Sequence, residues 1–387
     1  MKKVIWFILL SIIISSCDKR QKEKFAEDNI NVYRVQINDK DQFFNWDEFV
    51  DKIELIPLET NKDGLIGRFT KGIVINDNVF IFDVYFQSLL HFDISGKFER
   101  QISRKGGGPG EYLEIRDFCI DDSILYTLDY GRIHSYKIST GKHVETWTYD
   151  MKNGFNPSSI ALYNKDNYYL WNNSPDVWNP EKGTYYMLRN MRHKEVREEY
   201  VKFEYKTMAF PPRFYFCPDE RSYYFNNGKD VICKITNDSL AGLFFLDFGN
   251  MSLSSNHIDE FKRTGDMNDF LSNNAFKLIE NVFKVNELLY FACTGPGSYT
   301  YEGLINEKKQ EVKIGRRDFR RSPRFFFSDK NVLYGYYEPS TLLENLKKEV
   351  DINSCFANLL EDVSNIELDD NPILVKVYMK ELNEKDF

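Results

Sequence analysis

What the chain has little of narrows its chemistry first. Five histidines and six cysteines in 387 residues form no C-x-x-C and no Cys–His group at metal-ligand spacing. Neither G-x-S-x-G nor H-E-x-x-H occurs. The one glycine-rich stretch, Gly106-Gly107-Gly108-Pro109-Gly110, lacks the Gly-Lys-Ser/Thr ending of a phosphate-binding loop. Basic charge is not in excess either: the formal net charge is −8, which disfavours nucleic acid as a partner, because that binding needs a basic surface to displace counterions. No Pro/Ser-rich linker divides the chain, so one domain is expected. The longest predominantly apolar run, Val4 to Ile14, has eleven residues, too few for a stable membrane-spanning helix. No cofactor and no metal site is expected.

That short run suits a signal-peptide core, since Lys2 and Lys3 precede it and Ser15, Ser16 and Cys17 follow. The segment Ile14-Ser15-Ser16-Cys17 resembles the bacterial lipobox, in which the cysteine is acylated and becomes the mature N-terminus. The alternative is an ordinary signal peptide with an incidental cysteine. On the lipobox reading residues 1–16 are removed, the formal charge goes from −8 to −10 with loss of Lys2 and Lys3, and Cys17 holds the protein to a membrane leaflet. The run Asp18-Lys19-Arg20-Gln21-Lys22-Glu23-Lys24 is polar, charged and free of aromatics, and residues 17–31 are expected to be a solvated tether to a domain at 32–387. The run Asp18 to Lys24 is net basic, which favours an outer-membrane lipoprotein facing the periplasm over surface display.

From Val79 onward the sequence repeats. Val79 to Asp83 and His91 to Ser103 precede the glycine-rich joint, while Leu125 to Asp129 and His134 to Trp147 follow it. Asp83 and Asp129 are 46 residues apart, and the turn glycines Gly96 and Gly141 are 45 apart. Units of that length with about four short strands each indicate a β-propeller. Six units are expected: 68–103, 115–148, 158–203, 213–249, 275–315 and 323–382. Lys52 to Leu58 alternates like a strand but has no hairpin partner nearby, so it is assigned beside Ile373 to Met379, closing the ring. Helical insertions are expected over 255–280 and after a capping Ser340.

The joint Gly106-Gly107-Gly108-Pro109-Gly110-Glu111-Tyr112, with Pro57-Leu58-Glu59-Thr60 near one end and Asp370-Asn371-Pro372-Ile373 near the other, resembles the six-bladed β-propeller lipoproteins of Bacteroidota, which are TolB-like or NHL-like. The resemblance spans nearly the whole mature chain and implies the fold and the lipid anchor but no activity. Ser103 stands where that family's pattern leads one to expect glycine.

Strand parity within a four-stranded unit puts the second-to-third-strand turns and the unit-to-unit connectors on one face. Tyr85, Arg104, Glu111, Tyr112, Tyr130, Trp171 and Trp178 are the candidate ligand contacts on that face, with Tyr299, Tyr301 and Tyr337 in equivalent later positions and Asn172, Asn173 and Asp176 beside them. The bland alternative for each ring is filler between sheets. Asp83 and Asp129 read as turn caps before metal or sugar ligands, and His91 and His134 as repeated packing. Of the five later cysteines, Cys217 and Cys233 could bridge neighbouring strands in an oxidising compartment. Two functions remain open: a non-enzymatic module binding a glycan, a peptide or an envelope protein, and a propeller enzyme of lactonase, lyase or hydrolase type with an axial site.

Overall fold

The runs of Val, Ile, Phe and Tyr in this chain are broken every five to eight residues by Asn, Asp, Gly and Lys, and each break becomes a turn. Asn76 and Asp77, both at positive φ, make one such two-residue hairpin turn. The computed structural model describes residues 30–37, 42–121, 123–149, 151, 155–164, 166–172, 178–179, 184–192, 195–203, 214–218, 220–226, 231–236, 240–252, 275–319, 322–347, 355 and 365–381.

The fold is all-β, a propeller arrangement of six small sheets. Chain order begins with two strands whose partners come much later, β1 (Asn31–Arg34) and β2 (Val50–Pro57). Sheet one is β3 (Phe69–Ile75), β4 (Asn78–Asp83), β5 (Ser88–Asp93) and β6 (Phe98–Gln101). Sheet two is β7 (Asp117–Asp121), β8 (Ile124–Asp129), β9 (Arg132–Lys137) and β10 (His143–Thr148). The third contains β11 (Pro157–Asn164), β12 (Asn167–Asn172), β13 (Trp178–Asn179), β14 (Thr184–Arg192) and β15 (Glu195–Phe203). In the fourth, β16 (Tyr215–Cys217), β17 (Ser222–Asn226), β18 (Val231–Ile235) and β19 (Leu240–Asp247) are joined at the outer edge by β1. The fifth is β20 (Lys277–Val285), β21 (Leu288–Thr294), β22 (Thr300–Asn306) and β23 (Glu311–Arg316). The last holds β24 (Arg324–Asp329) and β25 (Val332–Tyr337), then, after helix α1 (Pro339–Lys347), β26 (Ile373–Met379), which pairs antiparallel with β2 from Val50↔Met379 to Pro57↔Ile373.

Neighbouring sheets are stitched through their inner strands. Lys71 Nζ lies 2.7 Å from Asp117 Oδ1, and the other oxygen of Asp117 accepts from the Ile160 N–H at 2.9 Å, so one carboxylate joins three sheets. The Tyr223 hydroxyl donates to Leu162 O at 3.0 Å between the third and fourth, and Ser328 Oγ donates to Lys284 O at 2.7 Å between the fifth and sixth. Glu220 pairs with Lys284 across the fourth and fifth, and Phe69 stacks on Tyr336 at 4.1 Å where the sixth meets the first. Large buried rings, among them Phe80, Tyr136, Tyr168, Trp171 and Tyr290, fill the space between sheets.

Several expectations are corrected by the strand order. Cys217 is on β16 and Cys233 on β18, with β17 between them, which separates the backbones by about 10 Å and puts a disulfide out of reach. Asn31, read as the last tether residue, already belongs to β1, a strand that sequence patterning missed because only one of its four residues, Tyr33, is buried. Ser340 is inside the first turn of α1, which begins at Pro339, and Lys277 to Glu280 belong to β20 rather than to a helical insertion. Residues 1–29, with Cys17, and 253–274, with most of that insertion, lie outside the described residues.

The glycine-rich joint closes on itself. Glu111 Oε2 accepts the Gly108 N–H at 2.8 Å, Oε1 accepts Arg104 Nε at 2.7 Å, and the Gly106 N–H donates to Tyr112 O at 2.9 Å. Gly110 sits at φ +73°, and a Cβ there would lie 2.5 Å from His143 Cβ. Gly108 is not at positive φ, and its Cβ would meet only the Glu111 carboxylate at 3.0 Å. Gly110→Val is therefore expected to cost roughly 2–4 kcal/mol and Gly108→Val about 1 kcal/mol, read from urea unfolding midpoints. Equal costs would refute this account of the joint. Ser103 takes up the left-handed backbone, φ 63°, that a glycine would adopt without strain, and its hydroxyl donates to Gly110 O.

Candidate interaction face

One end of the sheets gathers the turns between second and third strands together with the connectors between sheets. A repeated device holds this end in place. Asp83, Asp129 and Asn172 each end a second strand and each accept a backbone N–H sixteen residues earlier, from Gly67, Leu113 and Asn156 at 2.6, 3.1 and 2.8 Å. Asp83 also accepts from Tyr85 and Phe86 N–H, and Asp129 from Glu114 and Tyr130 N–H, so both carboxylates cap their own turn while fixing the incoming connector. Asn371 does the same work for the connector after β2: its Oδ1 accepts from Ile66 N–H and its Nδ2 donates to Glu59 O and Gly64 O. The two end motifs of the sequence thus meet in space.

Among the described residues, the exposed large apolar side chains concentrate at this end. Leu65, Leu113 and Phe319 are on connectors, Val84, Tyr85, Phe86, Tyr130 and Tyr299 on second-to-third-strand turns, Leu368 on the loop entering β26, and Phe43 against Arg316 where β23 ends. Only Val32 and Val144 lie elsewhere, on outer strands. Turns at the opposite end are polar: Asn76-Asp77, Ser95-Gly96-Lys97, Asn286-Glu287 and Lys330-Asn331. Among the described residues the exposed apolar surface is thus one-sided.

Of the candidate contacts, Tyr85 is 73% exposed and Tyr130 50% exposed, while Arg104 extends into solvent from its ion pair with Glu111. Tyr112 and Trp171 are buried and offer no surface. The Tyr112 hydroxyl donates to Gln87 O at 2.5 Å, riveting the joint to the turn of sheet one, and burial pushes the phenol up to about 12. Trp171 packs edge-on against Phe225. Trp178 is on β13 opposite Tyr185, and its side chain is outside what the structure describes, as are Asn173 and Asp176. Tyr301 and Tyr337 are also buried, so of the later tyrosines Tyr299 alone reaches the surface. Sequence reasoning missed Phe319 and the arginines beside it; applying strand parity to the connector from β23 to β24 would have found them.

Those arginines change what the rings can do. The Arg316 guanidinium is 3.4 Å from the centroid of Tyr299, Arg116 lies 5.1 Å from Tyr130, and Arg317 lies 5.2 Å from Phe319. A ring face covered by a guanidinium is closed to a neutral sugar. Between this connector and α1 lies a cavity of about 210 Å³, walled by Phe319, Tyr336 and Tyr337 and edged by Arg324, Glu338 and Glu344. Burial raises the Glu338 carboxyl above its usual range, with Arg324 opposing. Beneath it Glu302 is buried and accepts from Trp46 Nε1 at 2.8 Å and Ser322 Oγ at 3.0 Å; burial drives its carboxyl up, against the pull of Arg317.

His91 and His134 hold packed positions within their sheets. His91 stacks on Phe80 and its Nε2 meets Asn78 Oδ1 at 2.7 Å; burial, then Arg100, pulls it down to about 4. His134 bridges Asp129 and Thr146. Among the described residues no group of three or more His, Cys, Asp or Glu is placed to hold a metal ion.

A family model described as Domain of unknown function (DUF4934) matches residues 28–378. The chain belongs to this family. No curated protein matches it. A solved Bacteroides fragilis NCTC 9343 protein assigned as exported superposes with a TM-score of 0.73 at 15% identity, covering 91% of this chain and 100% of that one. A member of the duf4221 family from Bacteroides vulgatus ATCC 8482 gives 0.52 at 12% identity, covering 88% and 99%. At these identities the likeness is one of fold, and it gives this DUF4934 chain propeller-like neighbours in Bacteroides.

Proposed function

We propose that this protein is an envelope lipoprotein, anchored through Cys17, whose connector face binds a protein partner without catalysing a reaction. The six sheets are read as blades of one ring, closed where β2 completes the last blade; the pairing of β2 with β26 and contacts between every successive pair of sheets support this. The observation that carries the binding role is the concentration of exposed apolar side chains of the described residues at one end. Tyr and Arg in contact are the commonest anchors of protein interfaces, and the arginine-covered rings favour a protein over a neutral glycan. Inner-strand polar groups such as Lys71 and Asp117 are used in joining sheets, which favours binding over an axial reaction site.

Combined Tyr85→Ala and Tyr130→Ala substitutions are expected to weaken capture of the partner from detergent-solubilised envelopes at least about tenfold, with the thermal midpoint nearly unchanged, because both rings are solvent-facing. Undiminished capture would remove the connector face from consideration. Loss of retention on a glycan array instead would reassign the partner to carbohydrate. Cys17→Ser is expected to move the protein from the membrane pellet to the soluble fraction; retention after a carbonate wash would end the lipid-anchor reading.

A further inference from the structure

Helix α1 follows β25 almost without a loop, and that junction walls a cavity with charge of both signs. Thr341 and Leu342 N–H donate to Glu338 O at 3.0 and 3.3 Å, and Leu342 is only 1% exposed, so the first turn of α1 is held against the sixth sheet. Glu344 is four residues beyond Ser340 and three beyond Thr341, which places all three on one side of the helix, where they line the cavity. Strand β24 adds Arg324, whose register partner is Tyr336. The remaining wall is the connector from β23, carrying Phe319. It is locked by the Ser322 N–H donating to Asp318 O at 2.8 Å, by Ser322 Oγ donating to Glu302, and by Arg317 donating to Ser322 O and Pro323 O. The enclosed volume of about 210 Å³ has room for several waters and is below the roughly 300–1,000 Å³ of sites for drug-sized ligands.

The polar side chains around this cavity have no role in holding the protein together. Among the described residues, Arg324, Glu338, Ser340, Thr341 and Glu344 make no side-chain hydrogen bond and no ion pair. Asp117 and Glu220 show the contrast, since Lys71 meets the first and Lys234 and Lys284 meet the second. Arg324 acts on the Glu338 carboxyl without closing into an ion pair, and burial outweighs it, lifting the carboxyl above its usual range. A half-buried carboxylate with no donor is unfavourable, and a ligand ammonium supplies what is missing. The mixture of signs excludes simpler ligands. An anion would face Glu338 and Glu344, a cation would face Arg324, and a neutral sugar would cover these charges without neutralising them.

We infer that this cavity binds a zwitterionic amino acid, its ammonium held by Glu338 and Glu344, its carboxylate by Arg324, and its side chain against Phe319, Tyr336 and Tyr337. The planar fork of an arginine matches a carboxylate in a bidentate pair, which fixes the ligand's orientation. The site lies at the connector face but does not depend on the protein partner proposed above. Calorimetric titration of the full chain in detergent with the common L-amino acids is expected to show binding, strongest for apolar side chains of medium size. The best binder is then compared with the analogues that lack one charge: for leucine these are isoamylamine, without the carboxylate, and isocaproate, without the amine. Each analogue is expected to bind at least about tenfold more weakly than its parent. Arg324→Gln and Glu338→Gln are each expected to weaken binding of the parent by about tenfold or more, with the thermal midpoint unchanged, because neither side chain is tied to the fold. No binding of any amino acid at millimolar concentration would overturn the proposal. So would an analogue that binds as tightly as its parent, which would make the cavity a plain cation or anion site, and so would binding that neither substitution changes.

Discussion

Asp129→Ala is expected to lower stability by about 3–5 kcal/mol at neutral pH, among the largest effects of any single substitution in the described residues. Asp129 is fully buried, and its two oxygens accept from Leu113, Glu114 and Tyr130 N–H, from Arg132 at 2.8 Å and from His134 Nε2 at 3.3 Å. Truncation leaves several donors without an acceptor, one of them a guanidinium. Burial alone would raise this carboxyl, yet the His134 contact and the backbone donors of Glu114, Leu113 and Tyr130 outweigh it and hold the group far below its ordinary range. A depressed folded-state value means that the contribution is complete above the unfolded value of about 3.9 and fades as pH falls below it. Urea titrations of both proteins should show the gap at pH 7 and a smaller gap under acid conditions. A gap that does not change with pH would mean the lost stability came from packing rather than from charge.

Trp171→Ala is expected to cost a similar 3–5 kcal/mol, by leaving a large cavity between the third and fourth sheets. The ring is 1% exposed, and its indole N–H has no hydrogen-bond partner, so the loss is one of packing. Calorimetry of the variant checks this, and a midpoint within a degree or two of the wild type would put the ring back on the surface. This residue was a candidate ligand contact on sequence grounds. It ends up buried because it precedes Asn172, which ends the strand as the connector latch, and the last strand residues before a latch are still inside the sheet.

Much of the frame, and less of the face, is legible in the sequence. Strand limits in the first two sheets could be read almost to the residue, because Asn76-Asp77, Gly96, Gly131 and Gly141 mark turns at positions of positive φ, and the pairing of β2 with β26 followed from an alternating run without a local partner. β1 was not legible, since a parallel strand on an outer edge buries only alternate residues and needs no turn signal. At the face, sequence spacing located the loops but not the exposure of individual rings. Tyr112 and Tyr130 both follow a glycine-rich or acidic turn signal, yet one hydroxyl reaches Gln87 O inside the fold and the other ring lies out under Arg116. That difference is set by a partner 25 residues away in one case and 14 in the other, and no local pattern encodes it.

Asp83, Asp129, Asn172 and Asn371 hold the base of their connectors through backbone N–H groups, which every residue except proline supplies. Side chains beyond those attachment points are thereby released from the task of shaping the loops that carry them. Substitutions at Tyr85, Leu113, Tyr130 or Phe319 are therefore expected to leave the sheets undisturbed, so the proposed contact surface can be varied independently of the frame. An engineer testing that surface would keep the four latch residues and randomise what stands above them.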